Sequence, residues 1–468
     1  VRKAFTSKNF VRQTCYFCRY PSQQNGICVR FLEHFLGPEK VQDPPELILG
    51  RYTDFFKSKA QMKRWEQAVH SYEKGEFWTA FRALLQYLAD ERSPCVTWEE
   101  TDRMLRFQIR QGSQRITGFM TPERVRAESR LAQAETLSVG FMRRLMEYNY
   151  DLKFCRFALA PDNALTLCFE TTASDASPLK MVKALRELAL CADKHDDLLL
   201  DEFSVLTPAE ALHMDIPAAE KEAKYAFICN QIRAAFALMD KNVPKVEQCP
   251  GAYAYLLLAV MYRLDYLTCP EGFVKDVLER ASRAYFMQQE QNIHQKVVAL
   301  RRELQKILDR PREQVLAEFY RTESAFGTVA PLSFERLKEL TESEKPSMEW
   351  PLEQGYEVLA MAVPQYIVAH VLFQYVPPKP AYELLRLFMR VTETDFFRAL
   401  GLQTFVKSNG QLDKRLVLAA IKDIAERNRA EFPNFKPQTQ LLDFSSMPRF
   451  GKTFLEMICR LDLTERQP

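Results

Sequence analysis

The feature that most constrains this chain is a change of hydrophobic period part-way along it. In "MLRFQIRQGSQRITGFMT" (104–121), Leu105, Phe107 and Ile109 alternate with polar residues, as on one face of a strand. Gln111-Gly112-Ser113 turns the chain, and Ile116 and Phe119 follow in a second strand with less regular alternation. "RVRAESRLA" (124–132) sets Val125, Ala127, Ser129 and Leu131 against Arg124, Arg126, Glu128 and Arg130, which predicts a third strand. A helix follows in "TLSVGFMRRLMEYNYDL", capped by Thr136 or Ser138. "RFALAPDNALTLCFE" then reads as a hairpin about Pro161-Asp162-Asn163, and Ser177-Pro178 opens a long helix. The order β-β-β-α-β-β-α describes an antiparallel sheet with helices, the α+β class.

After Pro217 the period becomes that of helices. They are expected at 219–241, 251–266, 271–287, 291–308, 312–321, 333–341, 352–375, 380–391, 393–400 and 413–429, with a last apolar helix in "TFLEMICRL". Only 14 glycines in 468 residues agree with a mostly helical chain, and the 25 prolines cluster at breaks between periodic segments. Upstream, "QMKRWEQAVHSYEKGEFWTAFRALLQYLAD" (61–90) has Tyr72, Gly75, Phe77, Ala80 and Leu84 at the spacing of one tetratricopeptide unit. A single such hairpin cannot bury its own face and must pack on neighbours. The expected divisions are a poorly structured extension at 1–48, a helical hairpin at 49–95 and an α+β domain at 96–216. A helical domain at 217–400 and a mixed C-terminal extension at 401–468 complete them.

The hairpin "RFALAPDNALTLCFE" followed by "SPLKMVKALRELALCADKHDDLLLDEF" resembles the YbjN-type bacterial family, whose fold is that of the type III secretion chaperones. "RQGSQRITGF", "VGFMRRLMEYNY" and "PGAYAYLLLAVMYRLDYLTCPEGF" are similar to longer, two-part members from Bacteroidetes. The resemblance covers roughly residues 51–466. It implies a chaperone-like α+β domain joined to a large helical region, binding extended segments of other proteins, often as a dimer, without a catalytic centre.

The richest chemical segment is "LALCADKHDDLLLDEFSVL" (188–206). At about 100° per residue, Val182, Leu185, Ala189, Ala192, Leu199 and Phe203 share one stripe. Asp193, Asp197 and Asp201 recur every fourth residue beside it, which reads as a solvated face or a surface for a basic partner. Asp196 falls inside the stripe and needs a buried partner, such as Arg156 or a backbone amide. His195 is expected near Cys191 and Glu202.

Cys15, Cys18, Cys28 and His34 give C-x2-C-x9-C-x5-H, whose first half suits zinc and whose second half fits no standard finger; plain thiols are the favoured reading. "RFGKT" (449–453) lacks the first glycine of a phosphate loop, with Ser446 in its place. Arg103, Arg106, Arg110, Arg115, Arg124, Arg126 and Arg130 fall within three strands, several of them outward, while Phe107 and Phe119 are expected to point inward. Such a face protects a soluble sheet against edge aggregation, which is the favoured reading over any ligand; among ligands, an acidic protein segment and the phosphates of RNA fit it equally. Net charge of +3, from 64 basic and 61 acidic residues, supplies no global pull toward nucleic acid or lipid. The apolar run 358–376 holds Pro364, Gln365, His370 and Gln374 and reads as a core helix.

The expectation is a non-enzymatic, cytoplasmic chaperone-like or scaffold protein that binds a partner protein and no cofactor or metal. Its candidate surface is Arg106, Arg110, Arg126, Asp193, Asp197 and Asp201, and a homodimer is allowed. RNA binding through the arginine face is one alternative. An enzyme of the helical half, using His370 with Glu357 or Glu383, is the other. The first "VRKAFTSKNFVRQTCYFCRY" lacks the apolar core of a secretion signal, and 11 cysteines then read as reduced thiols.

Overall fold

In the computed structural model, Ser58 starts the first helix, α1 (Lys59–Glu73), with a reciprocal cap. Ser58 Oγ accepts from Gln61 N at 3.1 Å, and the Gln61 side chain accepts from Ser58 N at 2.9 Å. The structure describes residues 49–50, 57–89, 94–209, 212–287, 290–327 and 330–464. The proposed extension at 1–48, with Cys15, Cys18, Cys28 and His34, lies outside the described residues.

Gly75, with φ +79°, reverses the chain into α2 (Phe77–Leu88). The inner face of α2 buries Phe81, Leu84 and Leu85, and Phe81 meets Phe107 of the sheet edge-on at 5.5 Å. The hairpin thus covers its apolar face with the sheet, and both belong to one apolar cluster.

The sheet begins one strand earlier than its period predicts. β1 (Val96–Glu100) carries only Val96 and Trp98 in alternation, too short a run to stand out. β2 (Leu105–Gly112), β3 (Gln114–Met120) and β4 (Arg124–Ala134) follow, then α3 (Val139–Asp151), β5 (Arg156–Leu159), β6 (Ala164–Thr172) and α4 (Pro178–Glu202). Strand order is β1-β2-β3-β4-β6-β5, with neighbours antiparallel. Ser138 caps α3, and Ser177 with Pro178 at the first turn starts α4. Leu105, Phe107, Ile109, Ile116, Val125, Ala127, Leu165 and Leu167 are buried against Met181, Leu185, Leu188 and Leu199 of α4. Each large side chain so enclosed stabilises the fold by about 1.5–3 kcal/mol.

Phe119 corrects the expectation. The β2–β3 hairpin pairs Gln111 with Gln114, so Ile116, Gly118 and Met120 face inward and Phe119 faces outward. Ile116 and Phe119 are three residues apart and cannot share a face at a period of two. Gly118 instead sits under the Phe107 ring, where a Cβ would overlap it.

The helical region runs through α5 (Ala218–Lys241), α6 (Pro250–Thr268), α7 (Gly272–Phe286), α8 (Ile293–Asp309) and α9 (Arg312–Ala317). It continues through α10 (Phe334–Glu344), α11 (Glu349–Glu353), α12 (Glu357–Gln374), α13 (Lys379–Thr392), α14 (Thr394–Ala399), α15 (Lys414–Asn428) and α16 (Met447–Cys459). α6 and α12 are apolar nearly all round and pack against each other at the centre of a second core. α12 is the one helix among the described residues long and apolar enough to cross a membrane, and most of it is enclosed by other helices. The "GKT" of 451–453 lies within α16, behind its cap Ser446, and forms no phosphate loop.

The helix expected at 312–321 ends at Ala317. Tyr320–Arg321 pair with Met214–Asp215, and Glu323–Ser324 add to β2 at Gln111–Gly112. The Gln111 amide then donates to and accepts from the backbone of Phe326, at 3.3 and 2.8 Å. Ala325 and Phe326 are buried in the apolar cluster of the sheet, so residues 318–326 strap the two cores together.

Candidate functional site

Two regions gather the residues singled out by sequence. The first lies where the middle of α4 meets the Gly112-Ser113 turn and the strap. Asp193, Asp197 and Asp201 do not form a free face, which corrects their reading as solvated or partner-facing. The helical region packs along that side of α4 and supplies a donor to each.

Asp193 Oδ1 accepts from Ser113 N at 3.1 Å, and Lys275 of α7 reaches Oδ2 at 3.3 Å while holding Glu271 at 2.6 Å. Tyr320 donates to Asp197 Oδ2 at 2.7 Å. Arg310 grips both oxygens of Asp201 at 3.1 and 3.0 Å and meets Glu318 at 2.7 Å. Gly112, at φ +57°, is required twice over: its backbone is left-handed, and a Cβ there would overlap the Asp193 carboxylate.

Asp196 is buried, as its place in the stripe predicts, and its partners include the expected backbone amide but not Arg156. They are Ser113 Oγ, Gln114 Nε2 at 2.7 Å and the Asp197 amide at 2.8 Å. Burial pushes its carboxyl well above the ordinary range, with the charges of Asp197 and Asp193 adding to the push. Burial likewise raises Asp193, Asp197 and Glu318, the last to about 7. Gln111 and Gln114 were the overlooked signal, since both fall at inward parity where apolar residues belong.

His195 lies against Cys191, as expected, with Nδ1 2.8 Å from the Cys191 carbonyl oxygen and 3.3 Å from Sγ. Its ring is enclosed by Tyr148 and Phe157, and Glu202 bonds Arg144 instead. Burial pushes the Cys191 thiol up to about 12, which keeps it protonated and poorly nucleophilic. Among the described residues, no three His, Cys, Asp or Glu side chains converge as ligands for a metal.

The second region is the outer face of the sheet. Register places Arg106, Phe119, Arg126 and Glu170 in one cross-strand row. Most of the arginines meet carboxylates: Arg110 with Glu323 at 3.2 Å, Arg124 with Glu170 at 3.1 Å, and Arg126 with Glu128 at 2.9 Å. Arg124 also lies over the Phe119 ring at 5.4 Å. The face is therefore mixed in charge, with one aromatic side chain at its centre.

The groups suggested for an enzyme of the helical half do not meet. His370 is buried among Tyr262, Tyr366 and Tyr375, and burial lowers it to about 4. Glu357 is exposed at the start of the same helix, about 20 Å away at 1.5 Å per residue, and Glu383 accepts from Asn428 at 2.8 Å. A cleft of about 880 Å³ lies between α5, α14 and the 404–410 loop, with Glu393 on its wall. That carboxylate is committed inward, to Arg263 at 2.7 Å and Gln365 at 3.0 Å.

The chain matches no protein-family model and no curated protein.

Proposed function

We propose that this is a soluble, non-enzymatic chaperone-like or scaffold protein of the cytoplasm, which holds a partner polypeptide on the outer face of its α+β sheet. The observation that carries the reading is the row Arg106–Phe119–Arg126–Glu170, an apolar anchor set among charges of both signs on a sheet face that no helix or strand among the described residues covers. Such a face suits an extended segment of mixed charge, with the edge strands β1 and β5 offering backbone hydrogen bonds. The helix and strand order from α2 through β2–β4, α3, β5, β6 and α4 supports a secretion-chaperone-like arrangement, with β1 as an added edge strand. RNA is the weaker reading, because carboxylates already meet Arg110, Arg124 and Arg126.

The test is native mass spectrometry of the full chain purified from its host, as wild type, Phe119→Ala and Arg126→Glu. A companion polypeptide at fixed stoichiometry, released by both substitutions, is the expected outcome. A bare chain mass in the wild type, or a whole multiple of it, overturns the reading. Recovery of RNA that dissociates steeply with salt overturns it in favour of the alternative.

A further inference from the structure

The cleft between α5, α14 and the 404–410 loop is open because of the side chains that border it. On α5 the bordering positions include Ala223, Ala226 and Asn230, at i, i+3 and i+7, so that side of the helix carries little bulk. Opposite, the 404–410 loop is pinned by its own backbone. Asp413 N donates to Phe405 O at 2.7 Å, and Lys407 N donates to Gln411 O at 2.8 Å. Gly410, at φ +81°, closes the turn by donating to Lys407 O at 3.0 Å. The loop thus sets Lys407 and Ser408 on the rim of a space of about 880 Å³, the size of a small-molecule site.

The charges on the walls nearly cancel, and the remainder decides what the cleft takes. Glu393 is neutralised from behind by Arg263 at 2.7 Å, and Asp395 pairs with Arg398 at 2.8 Å. Lys407 meets no carboxylate, which leaves one uncompensated positive charge among the described residues that line the cleft. A carboxylate balances that charge. A phosphate ester, at about −1.5 to −2, exceeds it beside Glu393 and Asp395. Asn230 and Gln231 make no hydrogen bond to another described residue, so their amides offer both donors and acceptors to a ligand. Val406 and Met447, both half-buried, supply apolar surface between the polar groups.

We propose that this cleft binds a small organic monocarboxylate, with its anion at Lys407 and Ser408, its polar groups on Asn230 and Gln231, and its apolar body against Val406 and Met447. Glu393 is committed to Arg263 and Gln365, so the cleft holds its ligand and does not transform it. Every residue that lines it belongs to the helical region, and the proposal goes beyond the reading of the sheet face.

Saturation-transfer NMR on the full purified chain, with phenylpropionate, phenylpropionamide and phenyl phosphate each at about 5 mM, tests this. Phenylpropionate is expected to bind with a millimolar dissociation constant, and the neutral amide at least about tenfold more weakly. Lys407→Glu is expected to weaken the carboxylate at least about tenfold, while Lys407→Arg retains it. Ala226→Phe, which fills the cleft from α5, is expected to abolish binding. Lys407 and Ala226 are both exposed, and the comparison of acid with amide uses the wild type alone, so it stands if a variant fails to fold. The proposal is overturned by a carboxylate that shows no saturation transfer or binds no better than its amide. Tighter binding of phenyl phosphate, or carboxylate binding indifferent to Lys407→Glu, overturns it as well. Phe119→Ala leaves this binding unchanged, which separates it from the failure or success of the sheet-face reading.

Discussion

Gly112 and Asp196 show how single residues hold the junction of the two cores. At Gly112 a methyl group meets both a left-handed backbone and the Asp193 carboxylate, so no rotation relieves it. Gly112→Ala is expected to cost at least about 2 kcal/mol, read as a lower urea midpoint, while Gly75→Ala, with open space around it, costs only its backbone strain of about 1 kcal/mol. Asp196→Ala leaves the Ser113 hydroxyl and the Gln114 amide without their buried acceptor. Its expected cost is about 2–4 kcal/mol, checked by the same denaturation. The raised carboxyl of Asp196 belongs to a fold-fixing hydrogen-bond set, because every close partner in it is a structural donor.

Among the elements, α12 and α16 illustrate a contact that sequence periodicity does not announce. Gly451 of α16 lies against Pro364 inside α12, and a Cβ there would stand 2.9 Å from the proline Cγ. The ring is rigid and cannot swing aside. Gly451→Ala is therefore expected to destabilise the helical core by about 1–3 kcal/mol, measured by thermal unfolding, with α16 exchanging its amide hydrogens faster. Boundaries of the long helices follow from caps and prolines in the sequence. The strap does not: residues 320–326 are too short and irregular for a period, and their place is decided by the Gln111 amide and the open edge of β2.

For the whole molecule, the junction predicts the pH dependence of folding. Unfolded, Glu318, Asp193, Asp196 and Asp197 release their protons near pH ~4. Folded, all four hold them to higher pH, and Glu318 to about 7. Between those values the folded chain binds more protons, so stability falls as pH rises. Below pH ~4 the sign reverses, because Asp162 and Asp175, held low by Arg130 and Lys180, then take up protons that the folded state resists. The urea midpoint is expected to peak near pH ~4–5 and to decline toward pH ~7. Glu318→Gln should remove part of that decline, on the order of 1–3 kcal/mol; an unchanged slope would refute the assignment.

The alternation at 105–131 and the capped helices after Pro217 determined the α+β class and most element positions, and the apolar stripe of α4 determined the burial of Asp196, because those properties depend on neighbours within a turn or a strand. The same pattern left Asp193, Asp197 and Asp201 looking solvated. Which side of an amphipathic helix is wet depends on whether another body covers it, and Lys275, Arg310 and Tyr320 come from about 80 to 120 residues downstream. Only the packing of the helical region onto α4 made those carboxylates into a latch, and only the absence of such packing on α3 among the described residues left Met146 and Tyr150 in water. Local period is written in the chain, whereas the pairing of distant polar groups is settled by which surfaces exclude water from each other.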